Sequence, residues 1–101
     1  MSDTNPTPPT AIRILVVDDD GFMRDGLCTN LLGKGYDVIQ AGDEATGWAL
    51  ALGDPAPDVA IIDISIPPEP QVVRWTANNR GIELAGRIRA ERPSMGVVFL
   101  S

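Results

Sequence analysis

Four aspartates stand where this sequence can do chemistry: Asp18, Asp19 and Asp20 in one unbroken run, and Asp63 alone further along. Each group follows a short apolar run rich in β-branched residues. Ile12, Ile14, Leu15, Val16 and Val17 precede the first, and Val59-Ala60-Ile61-Ile62 precedes the second. Carboxylates brought close together repel strongly unless a proton or a cation sits among them. Oxygen-only donors in an open cleft suit Mg²⁺, which keeps several waters and binds through one or two carboxylates plus a phosphate. A carboxylate screened in this way can attack a phosphoryl group and carry an aspartyl phosphate. The competing reading is an ordinary turn and helix cap, because Asp and Gly are common in any strand-to-helix loop. Asp63 tips the balance, since it places a second acid at the end of a second strand.

The elements that must position these acids follow from periodicity. The run ending at Val17 looks like a strand buried on both faces, as parallel sheets require. A helix is predicted from Phe22 to about Lys34, with Met23, Leu27 and Leu31 on its inner face and Gly33 and Gly35 as its stop. Tyr36 to Ala41 reads as a less apolar strand nearer a sheet edge. Asp43 or Glu44 opens a second helix carrying Ala45, Trp48, Ala49 and Leu52 at helical spacing. Gly53, Pro55 and Pro57 end it before the strand that closes at Asp63. Ile64 to Arg80, with Pro67, Pro68 and Pro70, has no clear period and is long for a strand-to-helix connection. Gly81 to Arg92 returns to helix with Leu84, Ala85 and Ile88 inward, and Val97-Val98-Phe99-Leu100 forms a fourth strand. Strands alternating with helices imply right-handed crossovers and a parallel sheet, in which ligands bind beyond the carboxyl ends of the strands.

Composition excludes several other classes. The 101 residues suffice for one small domain, and 8 Lys and Arg against 14 Asp and Glu give a net charge of −6. Such a chain is a poor partner for a nucleic-acid backbone, which calls for clustered cations. A 44% hydrophobic content is globular, not disordered, yet no apolar run approaches a membrane span. A single cysteine, Cys28, and no histidine exclude an internal disulfide and the usual zinc ligand sets. These features describe a soluble, cytoplasmic, acidic α/β domain over residues 11–101. Residues 1–10, with three prolines and three threonines, are expected to form a disordered leader.

Three segments in order resemble the receiver domain of bacterial two-component response regulators. They are Ile14-Leu15-Val16-Val17-Asp18-Asp19-Asp20, Pro57 through Asp63 to Pro67, and Val97-Val98-Phe99-Leu100-Ser101. The resemblance implies a flavodoxin-like, doubly wound parallel sheet, here incomplete with four of the family's five strands. It implies that Asp63 is the phosphoacceptor, loaded from a phosphohistidine of a sensor histidine kinase and not itself an enzyme. By the same resemblance Asp19 ligates Mg²⁺ directly, Asp18 acts largely through a metal-bound water, and the Ser65 backbone carbonyl completes the metal shell. Ser101 takes the place of the switch hydroxyl. The extended stretch after the acceptor looks most like regulators with a helix-turn-helix output domain. The sequence departs from the family where it stops, before the fifth strand and the lysine that follows it, so a C-terminally truncated receiver is expected. Arg80-Gly81 also stands where an acid usually precedes the glycine. The fourth strand is then an exposed apolar edge, with self-association expected through it.

Two other classes compete. Asp18, Asp20 and Gly21 fit the opening of haloacid-dehalogenase-like phosphatases, with Asp18 as nucleophile and Asp20 as general acid or base. That family's Thr or Val after the glycine is Phe22 here, and its flap has no room. The second rival is a pseudo-receiver adaptor that binds a partner without phosphorylation. Cys28 reads as a small buried hydrophobe and Trp48 as core. Trp75, beside Val72 and Val73, reads as part of an insert or as a flap over the acids.

Overall fold

The computed structural model describes residues 11–70 and 78–100. The leader expected over residues 1–10, Trp75 and Ser101 lie outside them. Among the described residues seven elements alternate: β1 (Arg13–Val17), α1 (Gly21–Gly33), β2 (Asp37–Ala41), α2 (Glu44–Ala51), β3 (Val59–Asp63), α3 (Arg80–Glu91) and β4 (Gly96–Leu100). The four strands form one parallel sheet in the order β2-β1-β3-β4. The sheet is the flavodoxin-like arrangement, with β2 at the edge its composition suggested.

Alternation along β1 explains why it is central. Leu15 and Val17 face a core built with Ala60 and Ile62 of β3, Ala51 of α2, and Leu84, Ala85 and Ile88 of α3. Ile14 and Val16 face the other way, into a smaller cluster with Cys28 of α1, joined by Leu27, Leu31 and Ile61. A strand with apolar side chains on both faces must be covered on both, which is why its sequence is apolar throughout. Full burial of side chains such as Leu15, Ile62 and Ile88 stabilises the fold by about 1.5–3 kcal/mol each.

Two expectations are refined by the structure. Leu27 and Leu31 face the sheet, but Met23 is 60% exposed because the first turn of α1 rises past the strand ends. Trp48 is only partly buried, packing against the core while the Arg87 guanidinium lies 4.2 Å over its ring. Among the described residues β4 pairs with β3 alone, and Val98 is 50% and Phe99 44% exposed. Among the described residues no helix is long and apolar enough to cross a membrane.

Candidate functional site

Strand register brings the acids together. In the β1–β3 ladder Val17 lies opposite Ile62, so the next residues, Asp18 and Asp63, emerge side by side at the carboxyl edge of the sheet. One carboxylate oxygen from each of Asp18, Asp19 and Asp63 can be chosen such that all three lie within 4.8 Å of one another. The cleft lined by Asp18 and Asp63, with Asp20, Met23 and Leu100 at its walls, holds about 260 Å³. A larger concavity of about 720 Å³ runs along α1 past Phe22, Met23 and Thr29, but Asp25 is its one ionisable residue.

Local hydrogen bonds fix Asp18, Asp63 and Asp20 separately. Asp18 is 7% exposed; its Oδ1 accepts from the Asp20 N–H at 3.0 Å, and its own N–H donates to the Ala41 carbonyl at 3.0 Å. Asp63 Oδ1 accepts from the Ser65 N–H at 3.2 Å. Asp20 has a different task. Its Oδ1 accepts from the Phe22 and Met23 N–H groups at 3.1 and 3.2 Å, capping α1. The cap reading of Asp-Asp-Asp-Gly therefore holds for its third acid, while Asp18 closes a turn of its own and also lies beside Asp63.

Burial pushes the Asp18 carboxyl up from its ordinary value, against the Asp20 N–H, and the charge of Asp63 pushes it further the same way. Asp19 is also raised, chiefly by desolvation, with the Asp18 and Asp20 charges adding and Arg24 opposing. Both shifts come chiefly from burial, with like-charged neighbours adding to each. A hard divalent cation with oxygen ligands fits this donor set, and a soft one does not.

Arg24 and Gly81 were missed as site residues. Arg24 sits in the first turns of α1, where the helix dipole disfavours a cation, and that misplacement is the readable signal. Its Nη1 donates to the Asp18 carbonyl at 2.5 Å and its Nε to Gln40 Oε1 at 3.0 Å, tying the acidic loop to β2. Gly81, the second residue of α3, lies directly against the backbone of Asp63 and donates its N–H to the Ile64 carbonyl at 2.8 Å. Neither its spacing nor its composition announces that contact.

The geometry disfavours both rivals. A phosphatase of the type considered needs Asp20 free to move protons, and here its carboxylate is engaged in capping. An adaptor without phosphorylation gives no reason to crowd three carboxylates at one edge.

No family profile matches the chain. It is 44% identical over 55 residues to the DNA-binding dual master transcriptional regulator RpaA of Synechocystis, covering 54% of this chain and 22% of that protein. It is 33% identical over 93 residues to the DNA-binding transcriptional regulator NtrC of Rhizobium meliloti, covering 91% of this chain and 17% of that one. The chain thus spans about a fifth of the length of these curated relatives. A crystal structure of a CheY-like response regulator receiver domain from Methanospirillum hungatei superposes with a TM-score of 0.73 at 28% identity, covering 89% of this chain and 63% of that one. Strand order, the carboxylates at the β1 and β3 ends and these likenesses agree: the chain belongs to the receiver-domain family of two-component response regulators.

Proposed function

We propose that this chain, over residues 11–101, is a cytoplasmic phosphoacceptor that takes a phosphoryl group from a phosphohistidine of a sensor histidine kinase onto Asp63. The observation that carries this reading is the convergence of Asp18, Asp19 and Asp63 at the ends of neighbouring parallel strands. Asp63 is the least fixed of the three by like-charged neighbours in sequence, and it is half-buried at the cleft wall. Its Oδ1 is held by the Ser65 N–H, which leaves Oδ2 to meet phosphorus. The new O–P bond forms as the N–P bond breaks, and the imidazole nitrogen leaves with the bonding pair. Asp18, Asp19, Asp63 and the Ser65 carbonyl are the residues that would hold Mg²⁺. When bound, it offsets the charge gathered by the carboxylates and the phosphoryl oxygens. Ser101 is proposed as the switch hydroxyl. The net charge of −6 assigns no nucleic-acid contact to this chain, so the DNA binding named for its relatives would belong to other parts of such regulators.

Incubation with Mg²⁺ and acetyl phosphate, followed by mass mapping, is expected to place one phosphoryl group on Asp63 and none on an Asp63→Asn variant. Modification at Asp18, or no Mg²⁺-dependent modification, would overturn the assignment.

Self-association through β4 is part of the same reading, favoured by the apolar side chains of Val98 and Phe99 exposed on its two faces. Sedimentation velocity should show concentration-dependent association that Val98→Lys suppresses. Equal behaviour of the two chains would remove β4 as the contact.

A further inference from the structure

The connection from β3 to α3 is long, yet both of its arms are pinned beside the acids. On the outgoing arm, the Pro67 and Pro68 carbonyls accept from the Glu44 and Ala45 N–H groups at 2.9 and 3.0 Å, so the first turn of α2 holds it. On the returning arm, Asn78 reaches back across the opening. Its backbone N–H donates to Ser65 Oγ at 2.9 Å, its Nδ2 donates to the Ile66 carbonyl at 3.2 Å, and its Oδ1 accepts from the Arg80 N–H at 2.8 Å. Arg80 then joins the arms a second time through Glu44 Oε1 at 3.0 Å. The side chain of Asn78 thus spends a donor on one arm and an acceptor on the other, which an amide can do and a carboxylate or hydroxyl of similar size does less well.

We propose that Asn78 is a positioning residue for phosphoacceptance, resting on the reading of Asp63 as the acceptor. It closes the neck of the β3–α3 connection, so that Ser65 keeps its N–H on Asp63 and its carbonyl in place for the metal whatever the chain carries beyond the neck. Ser65 is the link: the residue whose N–H holds Asp63 Oδ1 is the one whose hydroxyl accepts from Asn78. Without the clamp, the two residues after Asp63 gain freedom that must be given up again each time the phosphoryl group and metal are bound. The loss falls on site occupancy more than on the core, since Ile66 and Leu84 remain buried on either side.

The test titrates beryllofluoride at fixed Mg²⁺ into the whole chain and follows the ¹⁹F resonance of the bound form, well below the melting midpoint. Two lost side-chain hydrogen bonds are expected to raise the half-saturating concentration for Asn78→Ala about tenfold. Ser65→Ala should rise in the same direction, while Ser65→Thr, which keeps the hydroxyl, should restore wild-type occupancy. Replacing residues 71–77 with a Gly/Ser segment of equal length should leave half-saturation within about twofold, because the neck bears the constraint. A wild-type chain with no bound resonance would sink the acceptor reading itself. A wild-type chain that binds, with Asn78→Ala binding equally well, overturns the clamp alone. If Asn78→Ala does not fold, Ser65→Ala decides, and wild-type occupancy in that variant overturns the proposal.

Discussion

Gly81→Ala is expected to cost about 3 kcal/mol of stability and to abolish Mg²⁺-dependent modification of Asp63. A β-carbon at Gly81 would overlap the Asp63 carbonyl oxygen and lie 2.8 Å from both the Asp63 carbonyl carbon and the Ile64 carbonyl oxygen. These are backbone atoms at the end of a central strand. They yield only if β3 or the start of α3 moves. Backing α3 away breaks the Gly81 N–H to Ile64 hydrogen bond and opens the packing of Leu84, Ala85 and Ile88. Moving β3 displaces Asp63, the proposed acceptor. The requirement is proximity, not a left-handed backbone, so no other residue relieves it by adopting a different conformation. Gly86, in the same helix, supplies the control. It is exposed, and a β-carbon there meets nothing within 4 Å. Gly86→Ala should therefore stabilise the chain by about 0.5–1 kcal/mol through helix propensity. Chemical denaturation of the three chains checks the pair, and a Gly81→Ala midpoint equal to that of wild type would refute the close contact.

Asp18→Asn should raise the melting midpoint of the metal-free chain and at the same time remove the stabilisation that Mg²⁺ confers on wild type. The sign follows from the cause of the Asp18 shift. Burial and the neighbouring Asp63 charge both disfavour the ionised carboxylate in the folded chain, so removing that charge relieves a cost of folding. The amide retains Oδ1 as an acceptor for the Asp20 N–H, so the turn at the end of β1 survives the substitution. Wild type, by contrast, should gain about 2.7 kcal/mol when Mg²⁺ is present at a hundred times its dissociation constant, by mass action on the folded state. Thermal melts in EDTA and in saturating Mg²⁺ separate the two effects. A variant less stable than wild type in EDTA would show that Asp18 is held by favourable partners. A variant that still gains from Mg²⁺ would take Asp18 out of the metal site.

The sequence carried the strands and the placement of Asp18 and Asp63 at their ends for a physical reason: burial on both faces of a central parallel strand demands an uninterrupted apolar run. The residue that ends the run must then be one that water or a ligand can satisfy. Val17-Asp18 and Ile62-Asp63 each state that boundary locally. Helix α3 was legible from the spacing of Leu84, Ala85 and Ile88, and all three are buried. Met23 shows where periodicity fails. It has the helical spacing of Leu27 and Leu31, but spacing cannot say where a helix rises past the sheet, and there Met23 borders the acidic cleft.

Only the tertiary structure separated the three consecutive aspartates. Asp20 caps α1, while the β1–β3 register turns Asp18 toward Asp63. It also revealed Arg24 on the Asp18 carbonyl, Gly81 against the Asp63 backbone and Asn78 across the neck of the long connection. Each joins residues separated in the chain, by six positions for Arg24 and Asp18 and by thirteen for Asn78 and Ser65. Local patterning records which face of an element meets water. It does not record which backbone atom of another element lies a few ångströms away, because that distance is set by how the helices settle on the sheet.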